Sequence, residues 1–204
     1  MVPGLGPRVF GFPNTILTTL RYCDFFVMTS GAGVISTQVF AANGLFDPDI
    51  TGTGHQPMYR DTYAGIYNNY VVIGSKITVT ATVMEGDSTS IFILAGDDDS
   101  TPPSGILTRM EANNSSYTTL GMPSGGASQK TLYGTFAPLR DFGTAVEDDG
   151  ASAVNVGANP SQLWCYQVSL RPGDGTYSGT MKWLISFDIE YTVKFMELVS
   201  PSIS

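Results

Sequence analysis

The most constraining feature of this sequence is a long alternation of apolar and polar residues close to its C-terminus. Every second position from 183 to 195 is large and apolar, reading Trp, Ile, Phe, Ile, Tyr, Val and Phe. The positions between them are polar or charged, with Leu184 as the one exception. A period of two places alternate side chains on opposite faces of a strand. The segment therefore predicts a long strand with one face on a core and the other on solvent or a polar partner.

The same alternation recurs in several other segments. Residues 77–83 alternate Ile, Val and Ala with Thr after the apolar run 70–73, and Gly74 is expected to bend or bulge this strand. A third candidate covers residues 16–28. Weaker candidates are 33–40, 90–95, 117–120, 130–137 and 163–170. About eight strands is a count typical of a two-sheet sandwich.

Long connections rich in Gly, Pro, Asp and Ser separate these strands, at residues 96–105, 122–127, 147–150 and 171–175. They are too long for the tight hairpins of a meander. A Greek-key or jelly-roll sandwich is therefore favoured over an up-and-down barrel.

The rest of the pattern predicts little helix and one domain. A short helix is predicted at 61–70, where four apolar residues share a helical face: Tyr63, Ile66, Tyr67 and Tyr70. We find no repeat, linker or second domain. Residues 1–204 are therefore expected to form a single domain, with residues 1–14 as an extended N-terminal segment.

The charge balance argues against a generic nucleic-acid-binding surface. Eighteen acidic and ten basic residues give a net charge of -8, and no two basic residues are adjacent. Neutralising phosphates needs clustered Lys and Arg. No window approaches the roughly 18 apolar residues of a membrane span, and the first residues lack the pattern of a signal peptide. We expect an intracellular product with no membrane partner.

The two cysteines indicate neither a disulfide scaffold nor a metal site, because their spacing fits neither. Cys23 lies in an apolar run, and Cys165 alternates with Trp164 and Tyr166 and is expected on the more polar face of its strand. Both are predicted to be reduced thiols.

Catalytic motifs are weak, and we predict no catalytic residue, cofactor or metal. His55 is the single histidine, and no Gly-x-Ser-x-Gly motif accompanies it. A loop histidine that fixes a turn by hydrogen bonding is favoured. Asp97, Asp98 and Asp99 are weak Ca²⁺ candidates, since they lack the Gly and Glu of a calcium loop, and a solvated acidic loop tip is favoured for them.

Four short elements follow one another between residues 38 and 77. They read Asn-x-x-x-Asp-Pro, then Gly-His-Gln-Pro, then an Asp with aromatics, then Tyr-x-Val-x-Gly-Ser-Lys-Ile. Their order and spacing resemble the capsid proteins of circovirus-like viruses, whose circular single-stranded DNA genomes encode a replication-initiator protein. The segment 189–195 also resembles the last strand of that family. The matching positions of the four elements are Asn43, Asp47, Pro48, Gly54, His55, Gln56, Pro57, Asp61, Tyr67, Tyr70, Gly74, Ser75, Lys76 and Ile77.

The resemblance implies an all-β fold: a single eight-stranded viral jelly roll of two packed antiparallel sheets, with long loops and at most short helices. It also implies self-assembly of about 60 copies into a T=1 icosahedral shell. The shell would enclose circular single-stranded DNA and meet a host receptor that the sequence does not identify. The expected location is the virion, with assembly in the nucleus of the host cell.

One departure from the family concerns the genome. Its capsid proteins usually begin with an arginine-rich arm, whereas residues 1–20 here contain only Arg8. Either the printed chain is a trimmed form, or this is a variant whose shell packages DNA by weaker contacts or assembles empty. The candidate DNA contacts are Arg8, Arg21 and Lys76. Two other hypotheses remain open: a jelly-roll module that binds carbohydrate for attachment, and an enzyme on the same scaffold.

Overall fold

The structure, a computed structural model, describes residues 11–144 and 153–200. The strands are β1 (Thr15–Gly31), β2 (Ser36–Ala41), β3 (Tyr67–Glu85), β4 (Ser90–Asp97), β5 (Ser115–Leu120), β6 (Gln129–Phe136), β7 (Val154–Asn155), β8 (Cys165–Pro172) and β9 (Thr180–Leu198). The helices are α1 (Arg60–Ala64), α2 (Ile106–Glu111) and α3 (Pro138–Asp141). Within this part of the chain, no helix is long and apolar enough to cross a membrane.

The long strands form two antiparallel sheets. The first sheet has the order β1-β9-β3-β6, with β7 beside the start of β3, and the second has the order β2-β8-β4-β5. The chain crosses between the sheets at most connections; only β4 and β5 in the second sheet, and β6 and the two-residue β7 in the first, follow each other within one sheet. Eight strands in two Greek-key sheets make a jelly roll, so the predicted fold is confirmed.

The core lies between the two sheets and is built from the inward residues of each strand. In β9 every odd-numbered residue from Trp183 to Phe195 is at most 5% exposed, which confirms the alternation predicted for this segment. The indole nitrogen of Trp183 donates to the hydroxyl oxygen of Ser90 at 2.8 Å. This bond joins the two sheets and satisfies two polar groups that water cannot reach.

The segment 61–70 departs from the predicted helix. Helix α1 covers only Arg60–Ala64 and is followed by Gly65, and Tyr67 and Tyr70 already belong to β3. Tyr67 is paired with Leu198, and Tyr70 with Phe195. Aromatic residues favour a pleated, half-buried surface, so sheet pairing overrides the helical periodicity here. The predicted irregularity at Gly74 is confirmed, because the register with β9 shifts between Val72 and Gly74.

The outer faces of the two sheets differ. The connection 98–114, which contains α2, covers the outer face of the second sheet, where Gln167 and Ser169 are at most 2% exposed. The outer face of the first sheet is open, and Phe25 and Tyr133 on it are each 70% exposed. We refer to this surface as the open face.

The two cysteines lie in different environments. Cys165 is on the polar face of its strand, as predicted, but it is fully buried because the connection 98–114 covers that face. Cys23 is exposed although it lies in an apolar run, because its side chain is on the open face. Both are free thiols, and burial raises the pKa of Cys165 to about 12.

Candidate functional site

Most of the family-like positions lie in one long connection. We call residues 42–59 the motif loop; it runs from the end of β2 to α1 and contains every matching position from Asn43 to Pro57. Asp61 lies in α1, and the positions from Tyr67 to Ile77 lie in β3. The four elements therefore lie in one continuous stretch of the structure: the motif loop, α1 and β3.

Asn43 fastens the start of the motif loop to the segment before β8. Its side-chain oxygen accepts a hydrogen bond from the backbone N–H of Trp164 at 2.9 Å, and its side-chain nitrogen donates to the carbonyl oxygen of Gln162 at 2.9 Å. Ala42 donates to the carbonyl oxygen of Trp164 at 2.6 Å. Asn43 is only 3% exposed, so a buried amide satisfies two backbone groups of a distant segment.

The Asp47-Pro48 element turns the chain back onto β2. The backbone of Asp47 exchanges two hydrogen bonds with the side chain of Asn159, at 3.2 and 3.1 Å. The carbonyl oxygen of Pro48 accepts a hydrogen bond from Ala41 at 2.7 Å. Partial burial and the neighbouring charge of Asp49 raise the pKa of Asp47. The role of this element is to hold backbone in a fixed path.

The Gly-His-Gln-Pro element packs against β1. The two ring nitrogens of His55 lie 2.8 and 3.2 Å from the backbone carbonyl oxygens of Gln56 and Cys23. The ring also meets Tyr22 edge-on, with 4.7 Å between centroids. Gly54 is required beside it, because a Cβ there would collide with the Tyr22 hydroxyl. Both nitrogens of the single histidine therefore face backbone oxygens.

Gln56 and Arg60 stabilise the far end of the loop. The Gln56 side chain donates to the carbonyl oxygen of Phe46 at 2.6 Å. Arg60, 7% exposed, donates to the side-chain oxygens of Gln56 at 3.2 Å and Asp61 at 2.7 Å. Its guanidinium carbon lies 5.1 Å from the centre of the Phe46 ring, a cation–π distance.

Tyr67 and Tyr70 are core residues that also hold loop backbone. Tyr67 donates to the carbonyl oxygen of Pro13 at 2.9 Å. Tyr70 donates to that of Ala158 at 2.9 Å and accepts a hydrogen bond from the N–H of Leu45 at 3.1 Å. Burial raises the pKa of Tyr70 to about 12, so this hydroxyl stays protonated at neutral pH.

The structure shows where two of the three candidate DNA contacts lie. Arg21 and Lys76 are on the open face, in one row of the sheet on either side of Glu190. Lys76 forms an ion pair with Glu190 at 2.9 Å, and Arg21 forms a two-bond pair with Asp188. Each cation thus has a carboxylate partner. The third candidate, Arg8, lies outside the described residues.

The Ca²⁺ candidates lie where β4 ends. The Asp97 carboxylate accepts the backbone N–H of Asp99 at 3.4 Å, and the Asp99 carboxylate accepts that of Thr101 at 2.8 Å. Burial raises the pKa of Asp97. Across residues 11–144 and 153–200, no group of three or more His, Cys, Asp or Glu side chains is placed to hold a metal ion.

The outer side of the motif loop is apolar. Met58 is 68% exposed, Tyr59 67% and Phe46 40%. Tyr59 also has a left-handed backbone, with φ of 67°, a conformation that is unfavourable for a bulky residue and persists only when its surroundings impose it. The loop therefore presents exposed apolar side chains from a backbone that hydrogen bonds hold in one geometry.

Sequence reasoning missed several residues of this site. Arg60, Asn159 and Tyr22 hold the motif loop, yet none belongs to a recognisable motif. Asn159 acts on Asp47 from 112 positions away in the chain. The one available signal was the position of Arg60 between two matching elements.

Comparison with known proteins supports the fold. No protein-family model matches the chain, and no curated protein matches it in sequence. Among solved structures, that of Mud crab tombus-like virus gives a TM-score of 0.53 at 9% identity, covering 96% of both chains. Tobacco necrosis virus gives 0.52 at 9% identity, covering 100% of this chain and 92% of that one. The fold is that of viral coat proteins.

The comparison is less specific about the circovirus-like resemblance. The 60-mer BFDV capsid protein matches with a TM-score of 0.49 at 12% identity, over 95% of this chain and 100% of that chain. This score does not distinguish the circovirus-like proteins from other jelly-roll coat proteins.

Proposed function

We propose that the protein is a structural capsid protein that assembles with further copies of itself into a closed shell. The observation that carries this proposal is the two-sheet jelly-roll fold, which aligns over nearly the whole chain with the solved structures of Mud crab tombus-like virus and Tobacco necrosis virus. The proposed mechanism is geometric self-association without a chemical reaction.

The motif loop is the part of the protomer that best fits an interface between copies. Heterologous contacts close into a shell only if each subunit meets its neighbours in one geometry. The hydrogen bonds of Asn43, Gln56 and Tyr70 fix the loop backbone, Tyr70 by accepting the N–H of Leu45. The exposed side chains of Met58 and Tyr59 belong to the types that are enriched in interfaces.

For the size of the shell we propose a T=1 arrangement of about 60 copies. This number rests on the circovirus-like resemblance of the motif loop and β3. Electron microscopy and sedimentation of the purified protein test it, because a shell of about 60 copies and a small oligomer differ widely in mass.

We also propose circular single-stranded DNA as a partner inside the shell, meeting the open face near Arg21 and Lys76. Since both cations are paired with carboxylates, this contact would be weak and would be lost at moderate salt. Shells purified at low salt should hold nuclease-protected DNA, and their lack of it would refute this partner while leaving shell formation untouched.

The proposed location is the virion, where the shell meets a host receptor. Assembly in the nucleus stays a prediction of the family resemblance. Imaging of tagged protein in transfected cells tests it, with nuclear particles as the expected result and exclusively cytoplasmic particles as the contrary one.

A further inference from the structure

Arg109 is a buried cation in the segment that covers the second sheet. It lies in α2 and is 7% exposed. Its Nε donates to the carbonyl oxygen of Pro103 at 2.5 Å, and its Nη1 donates to the hydroxyl oxygens of Thr37 and Ser169, each at 2.6 Å. Three separate segments therefore hold one guanidinium in a fixed orientation.

Among residues 11–144 and 153–200, no carboxylate lies within ion-pair distance of Arg109. Its three hydrogen-bond partners are neutral. Burial lowers its pKa, with no carboxylate acting in the other direction. Removing a charge from water without pairing it is unfavourable.

One end of this guanidinium, Nη2, donates no hydrogen bond to the described residues. Nη2 is also not one of the buried polar atoms without a partner, which in the described part of the chain are Arg60 Nη2, Ser115 Oγ and Trp164 Nε1. Among the described residues, Nη2 is therefore the part of this 7% exposed side chain that retains contact with solvent. Leu107 of the same helix is 66% exposed, so α2 offers both an apolar side chain and a pre-oriented donor.

We propose that Arg109 Nη2 binds a carboxylate of a second copy of this chain, which makes α2 part of a subunit contact. This inference rests on the proposed self-assembly. The chemistry of the partner follows from charge: the chain has 18 acidic and only 10 basic residues, so neighbouring copies present surplus carboxylates. Guanidinium–carboxylate bonds are among the stronger charge-assisted bonds, and Arg is enriched at interface hot spots.

The test compares Arg109→Gln with Lys130→Gln, which removes the same charge from an exposed position of β6. Both proteins should fold, as judged by circular dichroism and thermal unfolding. The R109Q protein should need about tenfold more protein than wild type for half-maximal shell formation, equivalent to about 1.4 kcal/mol. K130Q should stay within about twofold of wild type.

Equal assembly of R109Q and K130Q would overturn the proposal. If R109Q does not fold, hydrogen exchange of wild-type residues 98–114 decides: slower exchange in shells than in protomers supports the contact, and identical exchange refutes it.

A second measurement adds inorganic phosphate to the wild-type and R109Q proteins. A phosphate-dependent rise in thermal stability of wild type but not R109Q, with unchanged assembly, would assign a free-anion site instead. If wild-type protein forms no shells, the proposed function itself fails.

Discussion

The side-chain oxygen of Asn43 accepts the backbone N–H of Trp164 at 2.9 Å, which links two segments 121 positions apart in the chain. The same amide donates to Gln162. The motif loop is thus attached to the segment that leads into β8. The shape of this loop therefore depends on residues remote in sequence.

Replacing Asn43 by Ala should destabilise the protomer by about 1–3 kcal/mol, because it leaves buried backbone groups without partners. Urea unfolding followed by fluorescence measures this. Asn113→Ala is the matched control, since Asn113 is exposed and should change stability by less than about 0.5 kcal/mol. Equal effects of the two substitutions would show that the Asn43 bonds contribute nothing.

Gly54→Ala should also destabilise the protomer, by about 1–3 kcal/mol, because the added Cβ would collide with the Tyr22 hydroxyl and approach the Asp49 Cβ to 2.9 Å. Gly31→Ala is its control, since a Cβ at Gly31 would meet no atom within 4 Å. The prediction fails if the two alanine variants have the same midpoint of thermal unfolding.

Met58→Ser and Tyr59→Gly should reduce shell yield at least several-fold while leaving the protomer folded. Both side chains are about two-thirds exposed, so the protomer core does not need them. Tyr59→Gly should even stabilise the protomer, because glycine adopts a φ of 67° without strain. Shell yield per folded protomer, from size-exclusion chromatography, gives the result.

Tyr133→Ser provides the contrast for these two variants. Tyr133 is as exposed as Met58 but lies on the open face, which we assign to the inside of the shell. Shell yield should be unaffected. A loss equal to that of the loop variants would indicate that any exposed apolar residue contributes to assembly, and the motif loop would have no special role.

Thiol labelling should distinguish the two cysteines. Native protomer should react with a thiol reagent at Cys23 and not at Cys165, because Cys165 is fully buried and its pKa is raised to about 12. Mass spectrometry of labelled peptides, before and after denaturation, measures both sites. Labelling of Cys165 in native protein would mean that the connection 98–114 opens readily.

The strands could be predicted from sequence because burial on one face leaves a period-two pattern, clearest in β9. The limits of this reasoning have physical causes. The Tyr67–Tyr70 segment satisfies helical spacing as well as sheet packing, and only its partners in β9 decide between them. The alternation correctly places Cys165 on the polar face of its strand, but the connection 98–114, which is distant in sequence, buries that face.

From the sequence, the candidate site could be recognised only by the order of its four short elements. His55 and Asn43 could be singled out in this way. Their partners could not, because the Cys23 carbonyl and the Trp164 N–H are 32 and 121 positions away. Arg109 gave no signal at all, since its burial without a carboxylate partner among the described residues arises only in the fold.

Electron microscopy combined with analytical ultracentrifugation of the purified protein tests the central claim most directly. We predict closed particles of about 60 copies, with a mass of about 1.3 MDa for a chain of 21.8 kDa. Salt and pH should be varied to find assembly conditions. A monodisperse monomer or small oligomer under all of these conditions would contradict the proposed capsid function.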